Sequence, residues 1–216
     1  MAKDALEKNL GFTSEGNGYY EDGSYIDHGN LAYTGGYGAT LLGGIEKLLF
    51  ITSDSPWEAD SDKLTSIFQW IWNGIRPLYA DGAMMDMTTG RGIARPSTNE
   101  HTVGKGLLKP ISHLAAIAPE DERDAFRTFA RTEVLAGLEY EEDFFIGMTV
   151  ADMTAMKNLI TDNSLGKDDE IYHKNFGAMD KAVYHGENFD LGISMYSKRT
   201  GSFEYGNKEN RKGWHM

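Results

Sequence analysis

The stretch from Asp22 to Gly38 holds the densest set of side chains able to carry or move a proton: His28, Tyr33 and Tyr37, with Asn30 and the carboxylates Asp22 and Asp27. Glycines interleave them and free the backbone to gather them. A second glycine-rich stretch, Gly90-Arg91-Gly92-Ile93-Ala94-Arg95, offers two guanidinium groups. A third, Ser194 to Arg199 and then Phe203 to Trp214, offers Glu204, Asn207 and several aromatic rings. Imidazole and phenol are general acid–base groups, and paired arginines suit an anionic ligand. A carboxylate pair drawn from Asp22, Asp27 and Glu204 would instead serve a glycoside hydrolase, a reaction with no need of Arg91 and Arg95.

Other signals point to bland roles. Asp27 and His28 could be joined with His101 or His113 in a metal site, but no two histidines stand at helical i, i+3 or i+4 spacing and cysteine is absent. No metal and no cofactor is therefore expected. Gly35-Gly36-Tyr37-Gly38 lacks the lysine and the preceding strand of a phosphate loop. Met84, Met85 and Met87 read as packing material, and the acidic run Glu139 to Asp143 as a solvated face.

These loops need helices to position them. A short helix is expected from Ala2 to Leu10, stopped at Gly11, followed by a long loop from Phe12 to Gly38 that is neither helix nor regular strand. Tyr37, Leu41, Leu42, Ile45, Leu48 and Leu49 fall on one helical face, ending before Pro56. Leu64, Ile67, Phe68, Ile71, Trp72 and Ile75 form the clearest core helix, stopped by Pro77. After a glycine- and methionine-rich loop from Asp81 to Arg95, Ser97 with Glu100 resembles a capping box that opens a helix through Leu114, kinked at Pro110. Pro119-Glu120-Asp121-Glu122 opens another, and residues 145–160 a further one. Ile171 to Met179 and Asp190 to Tyr205 alternate as strands do. The expected class is all-α, antiparallel helical hairpins with a small extended element near the C-terminus.

Composition bounds the partners. The 216 residues make one domain of ordinary size, and 40% hydrophobic with 25% charged residues is a soluble globular balance. A net charge of -12 argues against diffuse attraction to nucleic acid or to an anionic membrane, so an acidic ligand needs a local basic pocket. No apolar run is long enough for a bilayer span, and the start Met-Ala-Lys-Asp-Ala-Leu-Glu-Lys has no signal-like apolar region.

Taken together, three motifs resemble polysaccharide lyase family 8, the hyaluronate, chondroitin and xanthan lyases. They are D-G-S-Y-I-D-H-G-N-L-A-Y-T-G-G-Y-G at 22–38, R-G-I-A-R at 91–95, and G-I-S-M-Y-S-K-R at 192–199 followed by E-Y-G-N-K-E-N-R-K-G-W at 204–214. They stand in family order across most of the chain. The resemblance implies an incomplete helical toroid whose cleft binds an acidic polysaccharide outside the cell. It implies His28 and Tyr37 as the catalytic pair, and Arg91 and Arg95 as the arginines beside the cleavage site. Glu204 and Asn207 would be the acid and amide supporting Tyr37 and the arginines, with Asn30 and Tyr33 added as substrate contacts.

Elimination from a uronate removes a proton from the carbon next to a carboxylate, which is feasible only when the carboxylate charge is neutralised. A base must take that proton and an acid must protonate the departing glycosidic oxygen, each step worth about 100- to 10,000-fold. Tyr37 can serve either end, a nearby guanidinium favours a phenolate, and His28 is a base or an orienting partner. Family members also carry a carboxylate-neutralising Asn in an N-W-W-like segment upstream of the histidine. Nothing before His28 corresponds to it, since Asn9 and Asn17 lack the tryptophans. The family's preceding helices and following β-sandwich domains are likewise unmatched. The expectation is a single partial lyase domain over 1–216, a fragment or a subunit, with exposed helix faces for a complementing chain or for self-association. The rival of a different class is an inactive module that binds acidic carbohydrate.

Overall fold

Helices α2 (Ala39–Thr52), α4 (Glu100–Leu114), α5 (Arg123–Tyr140) and α6 (Val150–Ile160) pack around α4, which touches the other three. The computed structural model describes residues 2–210; the predicted motif residues Arg211 to Trp214 lie outside the described residues. Helix α1 spans Ala2–Glu7, and α3 (Ser61–Trp70) runs on through a wide turn over Ile71–Ile75 and a tight one over Arg76–Leu78. The apolar periodicity explains the burial: Leu42, Ile45 and Leu49 of α2, Ile67, Phe68 and Ile71 of the α3 segment, and Leu107, Leu108, Ile111 and Leu114 of α4 all enter one core. Pro77 does not stop the α3 segment but sits inside the tight turn that closes it at Leu78, and Pro110 is carried inside α4.

The helix starts show which local interactions won. Asn99, not Ser97, caps α4: its backbone is extended and its side chain accepts the Thr102 N–H at 2.8 Å. Helix α5 begins at Arg123, three residues after the acidic turn starts at Glu120. Helix α6 begins at Val150 because Thr149 and Asp152 form a reciprocal capping box, which shortens the helix expected from 145.

The all-α expectation needs correction, because three small antiparallel sheets accompany the helices. Strands β1 (Gly18–Tyr19), β2 (Tyr25–Asp27) and β3 (Leu31–Ala32) organise the segment expected to be loop. Strands β4 (Tyr79–Ala80) and β5 (Ala83–Met84) form a hairpin before α4. The expected C-terminal extended element is a meander of β6 (Tyr172–Phe176), β7 (Lys181–His185) and β8 (Asp190–Ser194), with Lys174 opposite Val183 and Val183 opposite Gly192. Met179 and Val183 anchor it in the common core, while Leu191 and Ile193 of β8 are exposed. Among the described residues, no helix is long and apolar enough to cross a membrane.

Candidate functional site

The β2–β3 hairpin carries His28 at its tip. Ile26 faces Ala32 and Asp27 faces Leu31, leaving His28, Gly29 and Asn30 to turn the chain, with His28 at φ 48. That left-handed backbone is held from two sides. Asp27 Oδ1 accepts the His28 N–H at 2.6 Å and an Asn17 amide N–H at 3.1 Å, and Asn17 Oδ1 accepts the Gly29 N–H at 3.1 Å. Asp27 also accepts the Tyr25 hydroxyl, and Asp22 accepts the N–H groups of Ser24 and Ala178. Both aspartates are therefore committed to holding loops.

Tyr33 and Tyr37 follow directly, and the glycines between them decide which is buried. The Gly38 N–H reaches back five residues to the Tyr33 carbonyl at 3.0 Å, so 34–38 forms one wide helical turn leading into α2. Gly36 and Gly90 lie against the Tyr33 ring, where a Cβ would fall 2.3 Å and 2.2 Å from ring carbons. Tyr33 is thereby sunk to 4% exposure, while Tyr37 stays at the surface. The rings of His28 and Tyr37 lie side by side, centroids 4.6 Å apart.

Glu204 organises the cluster from below. The C-terminal segment docks on the hairpin tip when the Gly201 N–H donates to the Asn30 carbonyl at 2.8 Å, and this delivers Glu204 beneath His28. Its Oε1 lies 2.6 Å from His28 Nδ1 and receives Arg91 Nη1; its Oε2 receives the Tyr33 hydroxyl and the Arg91 backbone N–H, the latter at 2.9 Å. Burial pushes this carboxyl up, but the Tyr33 hydroxyl, the Arg91 N–H, His28 and the Arg91 guanidinium outweigh it and hold it down at about 2. An ionised Glu204 accepts a hydrogen bond from His28 Nδ1–H, the arrangement in which Nε2 of a neutral imidazole is the acceptor. Burial and the Glu204 hydrogen bond push the Tyr33 hydroxyl well above the ordinary range, so it stays a donor.

Arg91 is nearly buried and fully engaged. Beyond Glu204, its Nε donates to Glu209 at 3.1 Å and its Nη2 stands 3.5 Å from the Tyr37 hydroxyl oxygen. Arg95 keeps nearly half its side chain exposed and pairs with Glu209 through Nε and Nη2 at 2.7 and 3.0 Å. That pairing raises the basicity of Arg95 and lowers that of Glu209.

Of the residues singled out in the sequence, His28, Tyr33, Tyr37, Arg91 and Glu204 thus meet in one cluster with Arg95 at its rim. Tyr33 lies beneath the surface, not on it. Asn30 and Asn207 are exposed, and among the described residues no side-chain hydrogen bond ties either to the cluster. The buried amide of that segment is Asn210, which donates to the Glu204 carbonyl at 2.8 Å. Glu209 was missed: it stands in the third motif, but only the position of both arginines shows that it bridges them. A carboxylate pair for hydrolysis is not assembled, since Asp22 and Asp27 hold loops and Glu204 is locked as an ion.

Residues 1–132 match the N-terminal alpha-helical domain of polysaccharide lyase family 8, and residues 171–216 match that family's super-sandwich domain. The chain is 35% identical to a xanthan lyase of Bacillus sp. (strain GL1) and 33% identical to a hyaluronate lyase of Staphylococcus aureus, over 94% and 93% of its length. It spans only 22% and 25% of those relatives. Among solved structures, a Paenibacillus xanthan lyase superposes with a TM-score of 0.90 at 31% identity, over 99% of this chain and 20% of the other. A Streptomyces coelicolor A3 chondroitin AC lyase in complex with chondroitin sulphate gives 0.89 at 29% identity, over 99% of this chain and 30% of the other. The chain belongs to polysaccharide lyase family 8.

Proposed function

We propose that this chain carries the proton-transfer part of a lyase site that cleaves a uronate-containing polysaccharide by β-elimination, outside the cell. The observation that carries the reading is the exposed Tyr37–His28 pair standing on a fully hydrogen-bonded Glu204–Arg91 base. In this reading Arg91 supports Tyr37, whose hydroxyl protonates the glycosidic oxygen as the C–O bond breaks. The proton from the carbon beside the carboxylate goes to an acceptor of the same pair, Tyr37 or His28 Nε2. The electron pair it leaves forms the double bond that expels the leaving oxygen. Arg95, Asn30 and Asn207, all at the surface, are the donors offered to the polyanion. Residues 1–216 then work as one unit, helical hairpins from a toroid followed by the β meander and the Glu204 segment, and the site needs both that segment and the hairpin tip.

One observation favours a second reading, a module that binds without cleaving. Asn17, which already lacks the tryptophans of the family's carboxylate-neutralising Asn, also has its amide nitrogen and oxygen committed to the hairpin tip. Incubation of the chain with hyaluronate, chondroitin and xanthan separates the two. A rise in near-ultraviolet absorbance reports the conjugated double bond and supports the lyase reading. Binding to the same polymers with no rise supports the module instead.

A further inference from the structure

Glu204 and Glu209 close on one arginine from two directions. Glu204 takes Nη1 of Arg91, and Glu209 takes Nε. The chain reverses between the two acids in a tight turn, in which the Glu209 N–H donates to the Gly206 carbonyl at 2.7 Å. The central residues Asn207 and Lys208 stand at φ 50 and 67, and Asn210 at φ 51. Asparagine visits left-handed backbone readily but lysine does not, so Lys208 is the strained position and is held by its surroundings. Those surroundings are visible. Asn210 ties the turn to the Glu204 carbonyl, and Gly206 lies along Arg91, where a Cβ would sit 3.4 Å from Cδ.

The pair that Glu209 makes with Arg95 is too exposed to justify the strain through stability alone. Its consequence is geometric. A guanidinium is planar, so with Nε and Nη1 both held, Nη2 has one direction left, and that direction is the Tyr37 hydroxyl at 3.5 Å. We infer that Glu209 is a positioning residue of the site: it fixes the Arg91 plane against Tyr37 and parks Arg95 beside it. The inference rests on the lyase reading for its functional consequence, but its geometric content stands apart from it.

The test uses the whole chain labelled at tyrosine Cζ and arginine Nε, as wild type, Glu209→Gln and Glu209→Asp. Glu209→Gln is expected to lose the protected Nε–H signals of Arg91 and Arg95 and to shift the Tyr37 Cζ resonance. The Tyr33 resonance, governed by Glu204, should stay in place and so report an intact fold. Glu209→Asp keeps the charge and should bring both arginine signals and Tyr37 back toward wild type. In the elimination assay, Glu209→Gln should lower kcat roughly 10- to 100-fold with KM within about three-fold, and Glu209→Asp should recover much of the loss. A Tyr37 resonance that does not move while Arg95 is released, or an unchanged kcat in an active chain, overturns the proposal and leaves the lyase reading intact. Absence of any wild-type elimination sinks the lyase reading for this chain, and the Tyr37 resonance still decides the role of Glu209.

Discussion

Replacing Glu204 by Gln removes the ion on which four donors converge, and the cost can be worked from the site. Holding the carboxyl at about 2 instead of its ordinary 4.5 is worth roughly 3 kcal/mol of folding stability, and with under a tenth of the residue exposed there is little solvent screening to discount. The sign follows from the depressed value: the contribution is fully present above about pH 4.5 and is lost as pH falls toward 2. The amide also presents N–H groups to donors and, among the described residues, leaves the nearly buried Arg91 with Glu209 as its one charged partner. At pH 7, Glu204→Gln should therefore unfold about 1.5 M earlier in urea, for a slope of roughly 2 kcal/mol/M. The gap should be less than about half as large at pH 3. Urea titrations monitored by tryptophan fluorescence at both pH values read it directly. Equal midpoints at pH 7, or a gap that does not narrow by pH 3, would refute the idea that Glu204 is a stabilised ion at the base of the site.

Two further predictions probe the scaffold. Gly90→Ala places a methyl against the Tyr33 ring at a residue with φ 57, and should cost about 2 to 4 kcal/mol, read as a lowered Tm; wild-type stability would mean that Tyr33 is free to move aside. Glu133 accepts the Gly82 N–H at 2.8 Å, and burial pushes its carboxyl up to about 7. Stability is therefore lost as pH rises from about 4.5 through 7, and Glu133→Gln should be close to neutral at pH 4 but stabilising by about 2 to 3 kcal/mol at pH 8. Equal denaturation midpoints for the two proteins at pH 8 would contradict it.

The long helices were legible because their apolar residues repeat: six positions from Leu64 to Ile75 mark one face, and most of them are buried. The small strands were not. At two or three residues each, β1 to β3 are too short to show alternation, and it is their mutual pairing, Gly18 with Ile26 and Ile26 with Ala32, that makes them strands. Ser97 and Asn99 are both good caps in the sequence, and only the extended backbone at Asn99 selects between them. That His28 and Tyr37 could meet was readable from motif and residue type, since both sit in one glycine-rich run. The split between the two tyrosines was not, because Gly90, distant in sequence, is what lets Tyr33 sink and leaves Tyr37 outside. Glu209 was hidden for a similar reason, as its role depends on a reversal of the chain at Gly206.

The most direct measurement is product formation by wild type and Tyr37→Phe side by side, followed by near-ultraviolet absorbance at polysaccharide concentrations where both are shown to be saturated. Tyr37 is exposed and, among the described residues, its hydroxyl hydrogen-bonds with Arg91 alone, so phenylalanine should leave the fold and polymer binding in place. With Tyr37 as the group that moves the protons, the variant should form no unsaturated product while binding nearly as well as wild type. Wild-type turnover by Tyr37→Phe would remove that tyrosine from the chemistry and with it the central claim.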